Sequence, residues 1–68
     1  MDANRIVFSR RVKEAFQIFV MNRYGSAVRQ LTDAQGEFIN PRWSPDGSQI
    51  LASQRLGNIT LILFPAPK

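Results

Sequence analysis

The tightest constraint on this chain is that it nearly repeats itself. Asn4-Arg5-Ile6-Val7-Phe8-Ser9-Arg10-Arg11 and Ser48-Gln49-Ile50-Leu51-Ala52-Ser53-Gln54-Arg55 keep the same order of polar, apolar, small and arginine positions, 44 residues apart. With one residue removed from the turn that follows, Ile18-Phe19-Val20-Met21 falls on Leu61-Ile62-Leu63-Phe64, 43 residues apart. A period of about 40 to 45 residues is the length of a repeat built from four short strands.

Two turn signals divide the repeated parts. In Asn22-Arg23-Tyr24-Gly25-Ser26, Gly25 supplies the positive φ of a tight reversal. In Ser44-Pro45-Asp46-Gly47, Ser suits the first turn position, Pro presets φ at the second, Asp tolerates the third and Gly accepts the left-handed fourth. Gly25, Gly36, Gly47 and Gly57 are isolated, as turn glycines are, and form no phosphate-cradling pattern. These marks predict six strands at about 5–9, 16–22, 27–31, 38–43, 49–53 and 58–64. Over 10–21 the apolar residues Val12, Ala15, Phe16, Phe19 and Val20 also follow helical spacing, with Ser9 as an N-cap and Gly25 as a terminator. The β-favouring run Phe16-Gln17-Ile18-Phe19-Val20 and its match to Leu61-Ile62-Leu63, beside Pro65, decide for strand.

Pro41-Arg42-Trp43-Ser44-Pro45-Asp46-Gly47, with Phe38-Ile39-Asn40 before it and Ser48-Gln49-Ile50 after, closely resembles the signature of the TolB-like, WD-repeat-like β-propeller blade. Gln17-Ile18-Phe19-Val20-Met21-Asn22 and Gly25-Ser26-Ala27-Val28-Arg29-Gln30-Leu31-Thr32 are similar to its third and fourth strands. The resemblance implies an all-β chain of six short antiparallel strands in one segment, 1–68, forming parts of two consecutive blades. Residues 4–32 would be strands two to four of one blade and 37–64 strands one to three of the next, with the strand before the Trp43 turn innermost. It further implies a periplasmic setting and protein partners in the Tol envelope machinery. A start in mid-blade implies an excised or engineered segment, because one copy cannot close a ring.

A chain of 68 residues buries only about 60% of its unfolded surface and needs reinforcement. With no Cys and no His, disulfide and metal staples lack ligands, which leaves self-association. Apolar residues also occupy both alternate sets in 16–21 and 59–64, so both faces of these strands call for cover. Two packed sheets would each keep an apolar outer face, and Phe19, Met21, Leu61 and Leu63 are the residues expected to join copies. Self-association or strand exchange would complete the blades; a closed barrel or swapped sandwich is the other way to cover the faces.

The acidic opening Met1-Asp2 has no apolar region after it, so no signal peptide is expected. The apolar run ending at Pro65 is far shorter than the roughly 20 residues of a membrane helix, so no membrane insertion is expected.

Catalytic chemistry finds little support in residue types. Asp2, Glu14, Asp33, Glu37 and Asp46 are the only carboxylates, and Asp46 reads as a turn residue. The expectation is a non-catalytic structural and protein-interaction module, not an enzyme, with no cofactor or metal. An enzyme fragment is a further reading, since propellers accompany serine peptidases in proteins of related architecture. Trp43 and Tyr24 read as core rather than binding aromatics. Nine Lys and Arg against five Asp and Glu give a net charge of +4, and Arg10, Arg11 and Lys13 form a cationic cluster with Phe8 and Phe16 interleaved. That cluster carries the alternative of a small basic all-β nucleic-acid binder, although a solvated hairpin loop explains it more simply.

Overall fold

A computed structural model describes residues 4–67. The chain is all-β and contains β1 (Arg5–Val12), β2 (Ala15–Asn22), β3 (Arg29–Gln30), β4 (Glu37–Trp43), β5 (Gln49–Leu56) and β6 (Asn58–Pro65). They form two antiparallel three-stranded sheets, ordered β1-β2-β3 and β4-β5-β6. The helical spacing over 10–21 is overridden. Val12 pairs with Ala15 across the two-residue Lys13-Glu14 turn, and β-branched and aromatic side chains fill β2.

β1 runs three residues beyond the expected end, whereas β3 is cut to two residues. The shortening has a local cause. Gly25 (φ 87°) and Ala27 (φ 55°) hold the chain in left-handed turns, and Asn22 Oδ1 accepts the N–H groups of Tyr24 and Ser26, so extended backbone resumes only at Arg29. Beyond β3, Leu31 N–H still donates to the Ile18 carbonyl at 2.8 Å. The Thr32 side chain then replaces the ladder: its Oγ1 accepts Ile18 N–H and donates to Gln17 Oε1, while Gln17 Nε2 donates to the Ala34 carbonyl. The buried Gln17 amide is satisfied on both ends, which removes most of the cost of placing it there.

The two hairpins β1-β2 and β5-β6 are copies in register as well as in sequence. Ile6 opposite Met21 becomes Ile50 opposite Phe64, and Val7 opposite Val20 becomes Leu51 opposite Leu63. Phe8 opposite Phe19 becomes Ala52 opposite Ile62, and Ser9 opposite Ile18 becomes Ser53 opposite Leu61. The change of offset from 44 to 43 is now physical, since two turn residues, Lys13 and Glu14, are replaced by the single Gly57 at φ 78°.

The core lies between the sheets, where Ile18 of β2 meets Phe38 and Ala52, with Leu31, Ile62 and Phe64 packed against them. Side chains alternate across a strand. Ile18 and Val20 therefore face the second sheet, while Phe19 and Met21 face away from it.

Candidate functional site

Two regions could carry function: the turn and bulge around Trp43, and the outer faces of the sheets. The Ser44-Pro45-Asp46-Gly47 turn forms as its residue types require. Gly47 N–H donates to the Ser44 carbonyl at 2.9 Å and Gly47 sits at φ 77°. Gly25 closes the earlier turn in the same way, through the Asn22 carbonyl at 3.0 Å. Asp46 Oδ1 accepts Ser48 N–H at 3.0 Å, the Ser48 hydroxyl at 2.7 Å and the Ser44 hydroxyl at 2.8 Å. These donors, led by the Ser48 N–H, pull its carboxyl from an ordinary 3.8 down to about 2. Ser44 Oγ also accepts Gln49 N–H at 3.0 Å, which ties the turn to the start of β5. The Ser44–Asp46 pair is thus absorbed in holding the turn.

Upstream, the pairing of β4 with β5 shifts register between Ile39 and Arg42. Asn40 at φ 55° and Pro41, which has no N–H to offer a ladder, make the bulge. The bulge carries Trp43 beside β1, where the Arg5 guanidinium stands 5.0 Å from its ring and donates to the Pro67 carbonyl at 2.6 Å. An open cavity of about 390 Å³ lies here, lined by Arg5, Ile6, Val7, Pro41, Arg42 and Trp43. Both guanidiniums are already engaged, Arg42 with the Asn40 carbonyl at 3.0 Å, so they shape this cavity. Trp43 is half-buried at the sheet boundary. Tyr24, expected in the core, is instead 79% exposed, with Arg23 over its ring and bonded to its hydroxyl; it sits at the tip of a turn that, among the described residues, no other element overlies.

The cationic cluster disperses. Arg10 and Arg11 are strand residues rather than part of a loop, and as neighbours in β1 they point to opposite faces; Lys13 is in the turn beyond. Arg10 lies 4.3 Å from the Phe19 ring centroid, and Phe8 stacks on the same ring at 5.6 Å. Their cover leaves Phe19 only 4% exposed, so this residue, expected on a joining surface, is buried under its own sheet's side chains. The diagonal relation of Arg10 to Phe19 across a strand pair was the missed signal. Met21 is half-buried beside it.

Leu61 and Leu63 do lie on open surface. With Ile59 on the same side of β6 they form an apolar row, and Leu51 adjoins it across the β5 pair. The same positions in the first hairpin, Phe16, Ile18, Val20 and Val7, face the second sheet.

No protein-family profile and no solved structure matches the chain. Over 57 residues, 82% of its length, the chain is 39% identical to a protein of Bacillus subtilis (strain 168) described as the uncharacterized peptidase YuxL. The match spans about 9% of that protein's length. It overturns the expectation that the chain is not an enzyme: a paucity of catalytic residue types describes these residues, and a repeat segment can belong to a larger enzyme whose reacting groups lie elsewhere.

Proposed function

We propose that this chain is a segment of a TolB-like β-propeller, about one and a half blades long, serving as a structural and protein-interaction part of a peptidase-type enzyme. The observation that carries this reading is the residue-by-residue identity of register between β1-β2 and β5-β6, which are separated by one repeat length. In a four-stranded blade these hairpins are strands two and three of successive units, β3 is a fourth strand and β4 a first. The likeness to the Bacillus peptidase supports the enzyme setting.

The test is an exchange. The matched segment of the Bacillus protein is replaced by the corresponding residues of this chain, and thermal unfolding and peptide hydrolysis are compared with the parent. A cooperative unfolding transition with hydrolysis retained within about threefold, a difference of under about 1 kcal/mol, is the expected result. A chimera that fails to fold would show that the segment is not an interchangeable repeat. A folded chimera without hydrolysis would remove the proposed enzyme role.

A further inference from the structure

Of the chain's aspartates and asparagines, Asp46 alone is followed by glycine. That pairing has a chemistry of its own. A glycine amide nitrogen has no side chain beside it to hinder approach to the preceding side-chain carbonyl carbon, so a five-membered succinimide can close there. Asn40, by contrast, precedes Pro41, whose nitrogen carries no proton to give up.

Asp46 is solvent-exposed, so burial does not shield it. Hydrogen bonding does. Its Oδ1 accepts the Ser48 N–H at 3.0 Å, the Ser48 hydroxyl at 2.7 Å and the Ser44 hydroxyl at 2.8 Å. The nucleophile is held as well, since Gly47 N–H donates to the Ser44 carbonyl at 2.9 Å. Ser44 is itself fixed: it is buried, its N–H donates to the Gln49 carbonyl at 2.8 Å, and its Oγ accepts Gln49 N–H at 3.0 Å.

We propose that Asp46-Gly47 is a latent isomerisation site, where spontaneous succinimide closure and hydrolysis to isoaspartate are held off by the Ser44-Ser48 hydrogen bonds and proceed when the turn opens. In the first step the Gly47 amide nitrogen attacks Cγ of the neutral Asp46 carboxyl. The N–Cγ bond forms, the Cγ–OH bond breaks, and the hydroxyl departs as water with the Gly47 amide proton. Water then opens the imide at either carbonyl. Opening at Cγ restores aspartate; opening at the main-chain carbonyl carbon leaves Gly47 joined through Cγ, the isoaspartyl linkage. The water lost is regained, and nothing is oxidised or reduced.

The folded turn opposes the first step in two ways. Bringing Cγ onto the Gly47 nitrogen requires the carboxylate to leave its donors and the Gly47 amide to turn from Ser44. The same donors favour the ionised carboxyl, holding it down at about 2, and a carboxylate lacks the hydroxyl that must depart. The product cannot rebuild the turn, because isomerisation inserts the Asp46 Cβ into the main chain and leaves the carboxyl directly on Cα. Each opening that reacts is therefore retained as a lesion. Every participant lies within one hairpin turn, independent of the propeller reading.

The test compares isomerisation rates at about pH 5, where an unperturbed aspartyl carboxyl is still partly protonated. The chain is incubated in buffer and in concentrated urea, with circular dichroism reporting the fold of each sample. Isoaspartate at position 46 is read by proteolysis, chromatography and electron-transfer fragmentation, which separate it from the aspartate form of equal mass. In urea isoaspartate should accumulate, and in buffer it should form at least about tenfold more slowly, because reaction there waits on opening of the turn. Ser48→Ala, an exposed change that removes one donor to Oδ1, should raise the rate in buffer severalfold and leave the rate in urea unchanged. Ser48→Thr, which retains the hydroxyl, should keep the wild-type rate in both. The purified isoaspartyl chain, returned to buffer, should unfold at a lower temperature than the wild type.

No isoaspartate in urea overturns the site, and equal rates in buffer and urea overturn its protection by the fold. A wild-type rate in folded Ser48→Ala, or a Ser48→Thr rate as high as that of Ser48→Ala, overturns the assignment of protection to these hydrogen bonds. An isoaspartyl chain with the wild-type midpoint overturns the loss of the turn.

Discussion

In β2, Gln17, Ile18, Phe19 and Val20 are all buried, whereas in β6, which keeps the same register with its hairpin partner, Ile59, Leu61 and Leu63 stand open. The sequences hardly differ in character; the surroundings do. β2 is the middle strand of its sheet, has the second sheet on one face, and has Phe8 and Arg10 over Phe19 on the other. β6 is an edge strand with the core on one face only. The comparison teaches that an apolar strand pattern records a demand for burial, while its place in the chain decides whether this copy meets the demand.

Replacing the paired positions separates the two cases most strongly. Ile18→Ala should cost about 2–5 kcal/mol, since a fully buried side chain is lost and a cavity remains. Leu61→Ala, at a site 62% exposed, should cost less than about 1 kcal/mol in the isolated copy. Urea denaturation extrapolated to low protein concentration measures both. Equal losses would mean that β6 is covered within one copy.

The turns that frame the sheets give the next largest effects. A Cβ on Gly36 would lie 2.6 Å from the Arg55 carbonyl, in a residue at φ 89°, so Gly36→Ala should destabilise by about 1–3 kcal/mol. Gly57, at φ 78°, has open space around its Cβ position, and Gly57→Ala should meet backbone strain alone, about 1 kcal/mol. Thermal unfolding of the two variants should rank them in that order. The reverse order would place the one-residue turn, not the approach of Gly36 to β5, as the tighter joint. In the Ser44-Asp46 turn, Gly47→Val should cost on the order of 1 kcal/mol or more, because φ 77° suits a β-branched residue poorly. An unchanged denaturation midpoint would exclude that conformation.

The smallest effect is electrostatic and confined to the second repeat. The Asp46 carboxyl is held at about 2 against an ordinary 3.8. Depression of the folded-state value means that the folded state favours the charged form. The contribution is therefore present above about pH 4 and is lost as pH falls through 4 toward 2. Asp46→Asn should flatten the stability profile in that window and leave its shape above pH 5 unaltered. A mutant profile that still falls as steeply between pH 4 and 2 would assign the acid sensitivity to other carboxylates.

Much of the strand order was readable from local chemistry. Gly25 and Gly47 take the positive φ that their turns require, and Pro65 and the β-branched run beside it overrule the helical spacing of 10–21 through its repeat partner. The length of β3 was not readable, because no residue type marks Ala27 for the φ of 55° that it takes after the turn held by Asn22. Nor was the cover on Phe19, which needs Arg10 and Phe8 brought across a strand pair.

The sequence by itself determined a chain of β-strands in two repeat-related hairpins, with apolar residues on both faces of β2 and β6. Periodicity, turn residues and repeat length are local properties, and they act wherever the chain goes. Only the tertiary structure decided which face was satisfied. Ile18 and Leu61 ask for the same burial, but the chain supplies a second sheet after the first hairpin, and among the described residues it supplies none after β6.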